Sequence, residues 1–164
     1  MNASEASSIV QRIADALTRR DQRLATAESC TGGLVAKLLT DRAGSSAWFE
    51  RGLITYTNQA KHELLGVPVA VFSDYGAVSS ECVAAMAEGL VLRAPVDWAL
   101  SVSGIAGPGG GSPEKPVGTV WLGWARRSQA ATTEHCLFAG DRDAIRQAAA
   151  ARVLTGLMQR IDGA

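Results

Sequence analysis

A short apolar segment near the start of the chain ends abruptly and is followed at once by a helical pattern. Residues 24–28 (LATAE) form the apolar run, and Ser29 interrupts it. Residues 31–33 (TGG) then open a segment whose apolar side chains recur at helical spacing, at Leu34, Val35, Leu38 and Leu39. A strand that leads directly into a helix is the unit from which sheets covered by helices are built. The chain is therefore predicted to be an α/β protein.

The remaining segments extend this pattern. Strands are predicted at residues 48–57, 98–103, 117–125 and 132–138, and the last two should form a hairpin. Amphipathic helices are predicted over residues 4–20, from a cap at Ser79 or Ser80 to Pro95, and from Asp141 to about Ile161. Asn58 is expected to cap a short helix that ends at Gly66, and an irregular connection is expected between Pro68 and Gly76.

The order of these elements defines the expected architecture. Strand–helix units followed by a late hairpin imply a mixed sheet with helices on both faces, which is a three-layer α/β/α sandwich. The chain has 164 residues and shows no internal repeat, low-complexity segment or linker. Residues 1–164 are therefore predicted to form a single domain.

Composition excludes several classes of function. Sixteen basic and sixteen acidic side chains give no net charge, so no nucleic acid or anionic membrane partner is expected. Two histidines, and three cysteines without paired spacing, predict no metal site and no metal cofactor. The odd number of cysteines and the lack of a long apolar run argue against secretion and a membrane span, and predict a reducing, cytoplasmic setting.

The first candidate site lies at Ser29, where the first strand turns into a helix. Ligands of open α/β sheets gather beyond the carboxyl ends of the strands. The backbone amides of Cys30, Thr31, Gly32 and Gly33 are expected to point from the helix N-terminus towards an anion. A serine in this place can serve as a nucleophile with an oxyanion site built in. The alternative is that Ser29 only caps the helix.

The second candidate is Lys61, which would occupy the third position of the helix capped by Asn58. A positive charge is unfavourable at a helix N-terminus, and the chain uses thirteen arginines but only three lysines. A lysine amine can lose its proton when it is buried, whereas a guanidinium cannot, so Lys61 is a candidate general base. The alternative is an exposed lysine.

Tyr56 could stack on a ring or pass a proton, or it could be a core aromatic.

Two further places are suited to binding an anionic group. Ser103, Gly104 and Gly107 begin a Gly/Pro-rich loop after a predicted buried strand, where the backbone can approach a phosphate or ribose closely. The alternative is a flexible surface loop. Arg142 and Arg146 lie four residues apart near the start of the last helix, where a phosphate would suit them as well as a surface carboxylate.

Four motifs in this order resemble the CinA C-terminal domain family. They are AESCTGG (27–33), ITYTNQAKHELLGV (54–67), SVSGIAGPGGGSPEKPVGTV (101–120) and GDRDAIRQAAA (140–150), and together they span most of the chain. The resemblance implies hydrolysis of the carboxamide of nicotinamide mononucleotide, a step of pyridine nucleotide salvage, without metal or organic cofactor. The alternative is a non-catalytic nucleotide-binding or competence-associated module.

The resemblance also implies roles for the candidate residues. Ser29 would attack the amide carbon, Lys61 would move the proton, and the amides of residues 30–33 would stabilise the oxyanion. Tyr56 and Ser103 would hold the lysine or contact substrate. The phosphate would be bound by residues 104–107 with Arg142 or Arg146. Separately, apolar stretches such as VWLGW (120–124) are expected to be exposed, which predicts a homo-oligomer.

Overall fold

The computed structural model describes residues 3–164 and builds them around one five-stranded sheet. The strands, numbered β1 to β5 in chain order, are Leu24–Glu28, Phe49–Ile54, Trp98–Gly104, Thr119–Arg126 and Thr132–Leu137. Their order across the sheet is β2-β1-β3-β4-β5. β1 is parallel to β2 and β3, whereas β4 is antiparallel to both β3 and β5. The predicted mixed sheet and its late hairpin are confirmed.

Helices cover both faces of the sheet. Numbered α1 to α6 in chain order, they are Ala3–Arg19, Leu34–Thr40, Asn58–Leu65, Val69–Asp74, Ser80–Arg93 and Arg142–Asp162. α1, α2 and α6 pack together on one face, and α3, α4 and α5 pack on the other. Each face buries its own apolar cluster, so the predicted α/β/α sandwich is confirmed. Within residues 3–164 no helix has the length and apolar character needed to cross a membrane.

The register of the parallel strands brings three connections to one edge of the sheet. Glu28, the last residue of β1, is paired with Ile54 of β2 and Val102 of β3. The residues that follow these strands must therefore lie close together. Ser29 follows β1 directly, and α3 with Lys61 comes shortly after β2.

The helix that carries Lys61 begins differently from the prediction. Thr57 is the N-cap, and its side chain accepts a hydrogen bond from the Ala60 amide, whereas Asn58 is the first helical residue. Threonine and asparagine are both good caps, so composition does not decide between them. The prediction that Asn58 caps the helix and that Lys61 is its third residue is therefore wrong by one position.

Two other expectations are corrected. The segment between Pro68 and Gly76 contains α4, a short helix that packs on α5, instead of an irregular connection. The VWLGW stretch lies within β4, and its Val120, Leu122 and Trp124 side chains are buried. β4 lies between β3 and β5 with helices on both faces, so these side chains have partners within the chain. The stretch therefore gives no reason to expect a homo-oligomer, which stays a prediction.

Candidate active site

A small cleft opens at the edge of the sheet where β1, β2 and β3 end. Its cavity volume is about 230 Å³. We call it the strand-end cleft, and its lining residues are Ser29, Cys30, Tyr56, Thr57, Asn58, Lys61, Ala77, Val78, Ser103, Gly104, Ala106 and Arg142. The basic residues among them are Lys61, which is buried, and Arg142, which is exposed, and no acidic residue lines the cleft, so the cleft is suited to an anionic ligand.

The structure brings Ser29 and Lys61 together in this cleft. Lys61 Nζ lies 3.0 Å from Ser29 Oγ. The lysine is 1% exposed and the serine 8% exposed, so the pair is almost closed to bulk water. Hydrogen-bond reach between a hydroxyl and a possible base is the geometry that an activated nucleophile requires.

The Lys61 amine is held by two backbone carbonyls besides the serine. Its Nζ donates to the Thr55 oxygen at 2.9 Å and to the Tyr56 oxygen at 3.3 Å. An ammonium has three N–H donors, whereas a neutral amine has two and a lone pair. When the amine is neutral, the two carbonyls can take its N–H groups and leave the lone pair for the Ser29 hydroxyl. Burial lowers the pKa of Lys61, which favours this neutral form.

The turn after Ser29 differs from the expected arrangement of four amides at a helix N-terminus. Gly32 and Gly33 have φ of 59° and 95°, a left-handed conformation that ends any helical continuity, so α2 begins at Leu34. The Gly32 amide donates to the Ser29 carbonyl. Of the residues after Ser29, Cys30 lines the cleft but Thr31, Gly32 and Gly33 do not. The expectation that all four amides face one anion is therefore corrected.

The first amides of α2 are already bound by a carboxylate. Glu28 Oε1 accepts from the Val35 amide and Oε2 from the Ala36 amide, both at 2.9 Å. The amides of this helix N-terminus are therefore used to stabilise a buried side chain of the protein itself. Sequence reasoning missed Glu28, although Gly33 before α2 has no side chain to cap it, which is a signal that another residue must.

Cys30 stands next to the candidate nucleophile but is not a reactive thiol. Burial raises its pKa to about 11. Since the thiolate is the nucleophilic form, the Cys30 side chain is mostly in its unreactive form near neutral pH. Cys30 is therefore not a candidate nucleophile, although it lines the cleft.

Tyr56 lies at the mouth of the cleft with its ring turned outward. The residue is 55% exposed, and its phenol oxygen accepts a hydrogen bond from Arg142 Nη2 at 2.9 Å. The Tyr56 carbonyl, by contrast, faces inward to Lys61 and to Ser29 Oγ. Tyr56 thus contacts the pair through its backbone, and its ring is available to a ligand at the cleft mouth.

The two arginines of α6 lie in different places. Arg142 lines the cleft and donates from Nη1 to the Gly107 carbonyl at 2.8 Å, in addition to its bond with Tyr56. Arg146 donates from Nε to the Cys30 carbonyl at 3.1 Å and from Nη2 to the Thr31 carbonyl at 2.9 Å. Arg146 is not among the lining residues, so the structure separates the two candidates for phosphate binding.

The loop after β3 contributes less to the cleft than expected. Ser103 Oγ donates to the Ala77 carbonyl at 2.7 Å, which holds the segment before α5 against the end of the strand. Gly104 lines the cleft, whereas Gly107 provides only the carbonyl that positions Arg142. Ala77, Val78 and Ala106 also line it, and no chemical feature of these residues could have marked them in the sequence.

Thr57 and Asn58 are lining residues that sequence reasoning assigned to other roles. The side chain of Asn58 is exposed at the start of α3, because Thr57 takes the capping position. An amide side chain there can offer both donors and an acceptor to a ligand.

As for metals, no three His, Cys, Asp or Glu side chains in residues 3–164 converge as a metal site would require.

Comparison with known proteins gives a consistent result. The model of the CinA C-terminal domain matches residues 6–161. Nicotinamide-nucleotide amidohydrolase PncC of Escherichia coli (strain K12) is 50% identical over 161 residues, which cover 98% of this chain and 97% of that protein. The protein of the same name from Pseudomonas putida is 47% identical over 151 residues, covering 92% and 94% of the two chains.

Solved structures agree with the fold and with the sequence relatives. The competence/damage inducible protein CihA from Agrobacterium tumefaciens superposes with a TM-score of 0.92 at 41% identity, covering 94% of each chain. A CinA superfamily protein from Klebsiella pneumoniae 700603 gives a TM-score of 0.93 at 35% identity, covering 100% of each. The chain therefore belongs to the CinA C-terminal domain family.

Proposed function

We propose that this protein hydrolyses the carboxamide of nicotinamide mononucleotide to nicotinic acid mononucleotide and ammonia. The observation that carries the proposal is the buried contact of 3.0 Å between Lys61 Nζ and Ser29 Oγ in the strand-end cleft. The names of the relatives at 47–50% identity over most of the chain support the choice of substrate. The contact supports a serine nucleophile, and the names support an amidase.

In the first half of the reaction Ser29 is acylated. Neutral Lys61 takes the hydroxyl proton as Ser29 Oγ forms a bond to the amide carbon, and the carbonyl oxygen becomes an oxyanion. Cys30 directly follows the nucleophile and is one of the lining residues, so its backbone amide is our candidate donor to that oxyanion. The intermediate then collapses, the C–N bond breaks, and Lys61 returns its proton to the departing ammonia.

In the second half water cleaves the ester. Lys61, again neutral, takes a proton from the water as its oxygen attacks the acyl carbon. The Ser29–acyl bond breaks, and the proton passes from Lys61 to Ser29 Oγ. The product forms as the carboxylic acid and loses its proton to solvent, so nicotinic acid mononucleotide leaves as a carboxylate and the pair returns to its starting state. One lysine thus serves as base and acid in turn, which suits a chain whose two histidines, His62 and His135, are not among the lining residues.

Arg142 is the residue that we assign to the substrate phosphate. It is the exposed cation of the cleft, and two of its five N–H donors are already bound to Gly107 and Tyr56. These two bonds fix the plane of the guanidinium while three donors stay available. A fixed fork of donors is well matched to phosphate oxygens.

Replacing Arg142 with alanine should weaken binding of the phosphorylated substrate. A hydrogen bond to a charged group contributes about 1.5–3 kcal/mol, so KM for the mononucleotide should rise roughly 10- to 100-fold. KM for nicotinamide riboside, which has no phosphate, should change little. Steady-state kinetics with both compounds measures this difference. An equal rise of KM for the two substrates would remove Arg142 from phosphate recognition.

The proposal as a whole is tested with the wild-type protein. Incubation with nicotinamide mononucleotide should release ammonia and nicotinic acid mononucleotide in equal amounts, measured by an ammonia-coupled assay and by chromatography of the nucleotide. Isothermal titration calorimetry on the same sample reports binding. A protein that binds the mononucleotide without hydrolysing it would instead be a binding module. A protein that hydrolyses only other small amides would be an amidase with a different substrate.

A further inference from the structure

The turn that carries Ser29 is held from two sides by charged side chains that do not line the cleft. Glu28 lies on one side and Arg146 on the other. Neither belongs to the catalytic pair, and neither belongs to the lining residues of the strand-end cleft. Glu28 nonetheless directly precedes Ser29, and Arg146 donates hydrogen bonds to the two residues that follow it.

Glu28 ties the strand before the turn to the helix after it. Glu28 is 1% exposed, and its carboxylate accepts hydrogen bonds from the amides of Val35 and Ala36, each at 2.9 Å. Among residues 3–164 it forms no ion pair with a cation. A buried carboxylate is costly unless its oxygens are hydrogen-bonded, so these two amides are what keeps it in place. The ends of the turn are thereby fixed relative to each other.

Arg146 holds the middle of the same turn from α6. Its two bonds reach the carbonyls of Cys30 and Thr31, which are consecutive residues. A planar guanidinium with N–H groups at fixed angles can bind two neighbouring carbonyls at once. Gly32 makes room for it, since a Cβ at that position would lie 3.2 Å from Arg146 Nη2.

We infer that Glu28 and Arg146 are positioning residues that set the direction of Ser29 Oγ and of the Cys30 amide. The inference rests on the proposed function, and it gives the two arginines of α6 separate tasks. Arg142 contacts the substrate phosphate, and Arg146 acts on the reaction only through the turn. A displacement of about 1 Å in a reacting group can cost roughly 10²-fold in rate.

The test compares Arg146→Ala and Arg146→Lys with wild type on nicotinamide mononucleotide and on nicotinamide riboside. Arg146→Ala should lower kcat about 10- to 100-fold on both substrates, with KM changed less than about threefold. Arg146→Lys should retain more activity, because an ammonium can still bind one carbonyl. Glu28→Gln should also lower kcat without raising KM, because its NH₂ group would face a backbone N–H.

A matched control is available on the same helix. Arg152 of α6 pairs with Glu134 of β5 and is not among the lining residues of the cleft, so Arg152→Ala should leave kcat and KM unchanged. Circular dichroism and thermal unfolding identify variants that fold. If Arg146→Ala does not fold, the kcat values of Arg146→Lys and Glu28→Gln test the inference instead. Unchanged kcat in the folded variants, or a rise of KM confined to the phosphorylated substrate, would overturn the inference.

Failure of the proposed function can be told apart from failure of this inference. If wild type hydrolyses neither compound, labelling of Ser29 by a small sulfonyl fluoride replaces turnover as the measurement, followed by mass spectrometry. The Arg146 and Glu28 variants should then be labelled at least about 10-fold more slowly than wild type. Equal labelling rates would overturn the positioning role. Absence of labelling in wild type would overturn it too, because Ser29 would then not be a nucleophile.

Discussion

Replacing Ser29 with alanine should reduce hydrolysis of nicotinamide mononucleotide by at least about 10³-fold, because loss of a serine nucleophile removes the covalent route altogether. Cys30 cannot take over, since burial raises the pKa of its thiol to about 11 and keeps it protonated near neutral pH. KM should change little, because Arg142, the proposed phosphate-binding residue, and the cleft walls remain. The measurement is kcat and KM from ammonia release.

A second serine provides the control for this experiment. Ser101 of β3 is buried, is paired with Ala27 in the sheet and donates its hydroxyl to the Val83 carbonyl at 2.6 Å, outside the cleft. Ser101→Ala should cost some stability and leave kcat unchanged. Comparable activity in wild type and Ser29→Ala would exclude covalent catalysis by Ser29. A full loss in both variants with unchanged unfolding temperatures would also count against a special role for Ser29.

The sequence was sufficient for the fold class because its strongest signals are local. The run 24–28 followed by Ser29 and a glycine pair defines a strand, a turn and a helix without reference to the rest of the chain. That Ser29 and Lys61 lie close together follows from one further fact, that β1 and β2 are neighbouring parallel strands. The strand-end rule then places both residues at the same edge.

Other parts of the site depend on packing that a local pattern does not contain. Arg142 and Arg146 lie four residues apart on one helix face, so the sequence pattern predicts the same role for both. They are separated by about 6 Å along the helix axis, and this places Arg142 at the cleft and Arg146 at the carbonyls of the Ser29 turn. The hydrogen bond between Arg142 and the Tyr56 phenol likewise joins residues that are far apart in sequence.

The role of Glu28 shows a different limit. Sequence patterns identify a cap by the residue type just before the helix, and at that position α2 has Gly33, which provides no side chain. The carboxylate that does the capping precedes the turn and folds across it. Gly33 signals that another residue must bind these amides, but Glu28 can be identified as that residue only when the path of the turn is known. That path depends on two left-handed glycines.

Replacing Lys61 with arginine should lower kcat about 10²- to 10⁴-fold, the usual contribution of a general base. A guanidinium keeps its proton in proteins, so it retains the charge but cannot accept the Ser29 proton. Lys61→Met removes both charge and base and should be as inactive as Lys61→Arg. Exposed Lys37 of α2, paired with Asp41, provides the control, and Lys37→Arg should keep full activity.

The pH dependence of the wild-type enzyme tests the same role independently. Only the neutral amine can act as base, so kcat/KM should rise with pH as Lys61 loses its proton and then reach a plateau. Since burial lowers the pKa of Lys61, the rise should occur below the pH range in which an exposed lysine titrates. In Lys61→Met the residual activity should lose this dependence. A wild-type rise that persists unchanged in Lys61→Met would assign the titration to another group and remove Lys61 as the base.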